Sequence, residues 1–124
     1  MRRRWLLAGA ICLATTAAAM AHHSAAMFDQ DNLVELTGTV REFRYTSPHT
    51  FIILEVRDAG GSAKVWTLEG NAPGNLARDG WWQDSLKPGD EIRLTVMPLR
   101  SGAPGGSWNA SRVKYKNGQP IVAP

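Results

Sequence analysis

From Leu33 onward the apolar and polar residues alternate. Val34, Leu36 and Val40 are interleaved with Glu35, Thr37 and Arg41, the two-residue period of a strand with one face buried. Gly38 falls on the apolar side of this run, and past Val40 the apolar phase moves to Phe43 and Tyr45. A glycine followed by a phase switch predicts a bulge or a sharp coil, as at a barrel corner. Thr46–His49 reads as a turn. Thr50–Val56 is apolar on both faces and predicts a central strand. Asp58–Ser62 carries the glycines of a hairpin turn, and Ala63–Glu69 returns as a third strand.

The alternation then stops. In residues 71–80, Pro73 comes early and Gly80 late, the order of a short helix with a glycine stop. Lys87-Pro88-Gly89-Asp90 places Pro and Gly at the central positions of a type II turn. Ile92, Leu94 and Val96 alternate with Arg93, Thr95 and Met97 as a fourth strand. Ser101–Ser107 is rich in glycine and reads as a flexible loop, and Trp108–Tyr115 reads as a fifth strand with a blurred phase. Three strands, a short helix and two strands predict an all-β fold: a small five-stranded OB-like barrel with one short helix between strands 3 and 4. A plain five-stranded sandwich or a half-open sheet is the competing arrangement.

Residues 33–116 are thus assigned to the barrel and 117–124 to a polar tail. Ahead of the barrel, residues 22–32 lack a period and form an arm. Residues 1–21 have the layout of a secretory signal peptide: Arg2–Arg4, a short apolar run over Trp5–Ala14, then small residues at Ala19 and Ala21. The apolar run is too short to span a bilayer. A lipoprotein signal built on Cys12 is the rival, and bulky Ile11 before that cysteine fits it poorly. The expected location is periplasmic or secreted.

Charge changes its meaning once this leader is set aside. The chain has 14 basic and 11 acidic residues, a formal charge of +3. Removing Arg2–Arg4 leaves 11 basic residues against the 11 acidic ones. A neutral body lacks the positive field that nucleic-acid binding requires. The one cysteine, Cys12, lies in the leader, so the processed chain has neither a disulfide nor a thiolate metal site.

Several short segments together carry a resemblance: HHS at residues 22–24, L-T-G-T-V at 36–40, S-P-H at 47–49, W-x-L-E-G at 66–70, D-G-W at 79–81 and L-K-P-G-D at 86–90. The chain resembles a family of small exported bacterial proteins of unknown function. The L-K-P-G-D turn and the strand order are also similar to those of periplasmic bacterial OB-fold proteins. The resemblance implies export and a small β-barrel. It implies no activity and no site residue.

Candidate chemistry comes from two groups of residues. Cleavage after Ala21 makes His22 the first residue, so its α-amine and ring Nδ1 can close a chelate ring on a metal ion. Both nitrogens lose protons near neutral pH. A third nitrogen, from His49 in the turn after strand 1, completes a set suited to Cu(II), with His23 as a substitute or in support. Met27 is a candidate soft ligand for Cu(I). Cleavage after Ala19 instead would place Met20 first and abolish the chelate. As plain structural residues, the arm histidines would be solvated and His49 would cap its turn.

The second group is aromatic. Phe51, Trp66 and Trp108 are candidates for a ligand-stacking face formed by strands 2 and 3 and the loops joining strands 1–2 and 4–5, with Glu69 and Arg44 at its edge. The alternative for Trp66 and Trp81 is the core. There is no G-x-S-x-G, no carboxylate pair at a telling spacing and no GK[ST] after the glycine loop. The expectation is a non-enzymatic exported protein: a copper-binding accessory protein using a processed N-terminal histidine. The alternative is a metal-free module taking a small ligand, a glycan or an envelope partner on its aromatic face. A structural envelope domain without a small ligand is a third class.

Overall fold

Gly38 decides how the first strand runs. A Cβ at that position would sit 2.4 Å from the carbonyl oxygen of Glu55 and 2.9 Å from Cγ of Leu54. Only a residue without a side chain lets the two strands pass so closely. In the computed structural model, which describes residues 25–122, this first strand, β1 (Val34–Arg44), serves two neighbours. Its first half, Val34–Thr39, pairs antiparallel with β4 (Glu91–Pro98). Its second half pairs with β2 (Phe51–Arg57), and the register slips between Val40 and Glu42, leaving Arg41 as the extra residue of a bulge. The phase switch in the sequence is this slip.

β2 forms a hairpin with β3 (Ala63–Glu69) in unbroken register. The turn is closed by Asp58, whose Oδ1 accepts the Ser62 amide at 2.9 Å, and by Gly61 at φ +86°. After β3 comes α1 (Pro73–Arg78). It is shorter than the segment read from the sequence, starts at its proline and stops through Gly80 at φ +81°. Gly89 occupies φ +96° in the Lys87–Asp90 turn, as a type II turn requires. That turn is fastened to β1: the Val40 amide donates to the Asp90 carbonyl, and the Gly89 amide donates to that of Val40, both at 2.8 Å.

β5 (Gly105–Tyr115) pairs antiparallel with β4 and parallel with β3, giving a closed barrel in the order β1-β2-β3-β5-β4. The strand order and helix position are those of the OB-like barrel expected from the sequence. One expectation is corrected. Residues 105–107, assigned to a flexible loop, are the closing strand: Gly105, Gly106 and Ser107 pair with Thr67, Leu68 and Glu69. Gly105 and Gly106 are buried. A Cβ on Gly106 would lie 2.6 Å from the Met97 carbonyl oxygen, so the glycines serve close approach rather than flexibility.

The inward residues alternate as predicted. Val40, Ile52, Leu54, Leu68, Ile92, Leu94 and Val96 are essentially fully enclosed, and Leu76 of α1 joins them. Enclosing a side chain of this size is worth about 1.5–3 kcal/mol. An aromatic group packs beside them: Trp81 and Trp108 have centroids 5.2 Å apart, with Phe43 near both. The Tyr45 hydroxyl sits 2.9 Å from the carbonyl oxygens of both Pro73 and Trp81 and donates between them, tying α1 to the barrel. After β5 the tail folds back, with Ile121 and Val122 against the core.

Candidate functional site

The arm is docked on the barrel. The Asp29 amide donates to the Pro98 carbonyl at 2.8 Å, the Arg100 amide to that of Met27 at 2.9 Å, and Phe28 bridges to Leu99 with its ring buried. Asp29 also organises the arm. It accepts from the Asp31 and Asn32 amides and from Nδ2 of Asn32. The Asn32 side chain is the main reason its carboxyl is held below the ordinary value.

This docking forms one wall of a cleft of about 400 Å³. Ala25, Phe28 and Gln30 of the arm line it on one side. Pro48 and His49 come from the β1–β2 loop, Glu69 from the end of β3, Asn71 and Asn75 from the start of the helical segment, and Met97 and Ser107 from β4 and β5. The polar groups thus converge from four separate stretches of the chain: the arm, the β1–β2 loop, residues 69–75 and β5, the usual make-up of a small-ligand site.

His49 and Glu69 are the titratable pair in this cleft. Phe51 pairs with Glu69 in the β2–β3 ladder, which brings the residue two before Phe51 beside the carboxylate. Glu69 Oε1 contacts Nδ1 of His49. The Thr46 hydroxyl fixes the loop by donating to the His49 carbonyl at 3.1 Å. With Nδ1 engaged, Nε2 is the ring nitrogen left for a ligand, and the side chain is 43% exposed.

His22 and His23, the other two candidate ligands, lie outside the described residues, as does the leader. Among the described residues no group of three or more His, Cys, Asp or Glu is arranged to hold a metal ion. A metal ion at His49 would need donors from outside the described residues. Met27 is 46% exposed and lines an adjoining hollow with Phe51 and Glu69. The methionine in the cleft itself is Met97, which the sequence reading passed over because it sits on an ordinary alternating strand.

The aromatic candidates are not brought together. Ile52 and Leu54 point into the barrel, so Phe51, one position out of phase, points outward. Trp66 pairs with Leu54 and therefore lies on the inner side with Leu68. Trp108 is 3% exposed and packs in the core. The expected single face of Phe51, Trp66 and Trp108 is thus corrected: the two-residue period sends Phe51 and Trp66 to opposite sides. Arg44 is engaged by Glu42 through two hydrogen bonds of 2.8 and 2.9 Å.

No helix among the described residues is long and apolar enough to cross a membrane. No curated protein matches the chain. The sequence does match one family over residues 10–109, a span that takes in the His22-His23-Ser24 segment, the cleft and the barrel up to β5. By that match the chain belongs to a family of unknown function, DUF6152.

Proposed function

We propose that the protein is an exported, non-enzymatic copper-binding accessory protein. Signal cleavage after Ala21 frees the α-amine of His22, which with the ring Nδ1 forms a chelate, and Nε2 of His49 supplies the third nitrogen. His23 supports the site from the neighbouring position.

One observation carries this reading: Ala25, three residues after His22, lines the same cleft as His49. Three residues of extended chain reach about 10 Å, so a chain that begins at His22 has its N-terminus within tether distance of the cleft. The Glu69 contact on Nδ1 supports it further, because a histidine ligand is commonly oriented by a carboxylate on its other nitrogen. The nitrogen-rich set suits the tetragonal preference of Cu(II). The Met97 thioether on the cleft wall is a soft donor of the kind Cu(I) accepts.

The test is a competition titration with Cu(II) on protein whose first residue is His22, beside protein with one alanine placed ahead of it. The proposal expects tight binding in the former and loss of most of that affinity in the latter. Equal affinity would remove the N-terminal chelate from the account.

A further inference from the structure

Away from the cleft, a second polar groove of about 330 Å³ runs along the outer face of β1, β4 and β5. It is lined by Glu35, Arg93, Leu94, Thr95, Arg112 and Lys114. Three cations and one carboxylate therefore share a small depression, while the rest of the body beyond the leader has 8 basic residues against 10 acidic ones.

Two features show that this clustering has a cost. Arg93 stands directly opposite Lys114 in the β4–β5 ladder, and like charges facing each other across strands are destabilising. None of the three cations has a carboxylate within ion-pair distance among the described residues, although Lys116, two positions on, is paired with Glu91 at 2.8 Å.

A local distortion places the third cation. Leu94 pairs with Val113 but Val96 pairs with Trp108, so Thr95 alone faces four residues of β5, Asn109–Arg112. The Ser111 amide and hydroxyl both donate to Oδ1 of Asn109, at 3.0 and 2.8 Å, which fixes the bulged segment. Bulges commonly re-aim a side chain. Here Arg112 lines both the groove and the adjoining hollow beside Thr95 and Ser111.

We propose that this groove is a binding site for a phosphate group, with Arg112 and Arg93 as forked donors, Lys114 as a point charge and the Thr95 hydroxyl as a further donor. Three cations less the Glu35 carboxylate leave two positive charges. This matches a phosphate monoester, which carries about −1.5 to −2 near neutral pH. Arginine presents paired N–H groups to such an oxyanion. The site is independent of the copper reading.

The experiment follows amide NMR shifts of the processed protein titrated with inorganic phosphate, and flotation with vesicles of phosphatidic acid, whose headgroup is a phosphate monoester, and phosphatidylcholine against phosphatidylcholine alone. Saturable shifts at Arg93, Arg112 and Lys114 are expected, with affinity weakened about tenfold in R112Q and unchanged in K116Q. Flotation on the anionic vesicles assigns the phosphate to a lipid headgroup. Saturable phosphate binding without flotation assigns it to a soluble phosphate compound. R93Q is expected to lose phosphate affinity while raising the melting temperature, since it relieves the repulsion with Lys114. The proposal is overturned if neither phosphate nor anionic vesicles bind, if R112Q and K116Q weaken binding equally, or if R93Q lowers stability together with affinity.

Discussion

Glu69 at the end of β3 holds Nδ1 of His49, twenty positions earlier in the chain, because the β2–β3 register pairs Phe51 with Glu69. The contact fixes which ring nitrogen faces the cleft. Glu69→Gln keeps the size of the side chain but removes the charge. It is expected to lower Cu(II) affinity about 10- to 100-fold, read by competition titration, with the melting temperature nearly unchanged because the pair is partly exposed. Unaltered affinity would separate Glu69 from the proposed metal site.

Gly70 follows immediately and has a different task. A Cβ there would lie 2.4 Å from Cε2 and Nε1 of the Trp108 indole. Nε1 is also the buried side-chain nitrogen that lacks a hydrogen-bond partner among the described residues, so the ring is held by shape alone. Gly70→Ala must displace the indole and is expected to cost about 1–3 kcal/mol in urea denaturation.

The adjacent tryptophans should respond oppositely. Trp81 is 3% exposed and packs at a tilt against Trp108, whereas Trp82 is 58% exposed. Trp81→Ala is expected to cost about 3–5 kcal/mol, and Trp82→Ala to stay within about 0.5 kcal/mol, both by chemical denaturation.

Acid titration should expose the bulge residue Arg41. The Glu55 carboxyl is held below its ordinary value of 4.5, first by the hydrogen bond from Arg41, with Arg57 adding to it. A lowered folded-state value contributes stability that is present above the ordinary value and disappears as pH falls through the folded one. The melting temperature of Arg41→Gln should therefore lie below that of the wild type above about pH 5 and converge with it under more acidic conditions. A constant gap down to pH 2 would show that Arg41 acts through packing instead.

The barrel was legible because its signals are local. The Val40-to-Phe43 phase switch marked the bulge, and the Lys87–Asp90 and Asp58–Ser62 turns needed only their own glycines. Gly105 and Gly106 misled, because a glycine at a close strand crossing looks like a glycine in a mobile loop until the opposing Met97 and Thr67 backbones are known. His49 was visible as a candidate from its turn. Its partner Glu69, and the cleft it shares with Ala25, Asn75 and Met97, depend on strand register and arm docking, which no short stretch of sequence contains. The same register divided Phe51 from Trp66.

The most direct measurement is the electron paramagnetic resonance spectrum of the Cu(II)-loaded protein beginning at His22. The account predicts hyperfine structure from three nitrogens, falling to two in His49→Gln and collapsing when an alanine precedes His22. A spectrum unchanged by that added residue, or by the loss of His49, would contradict it.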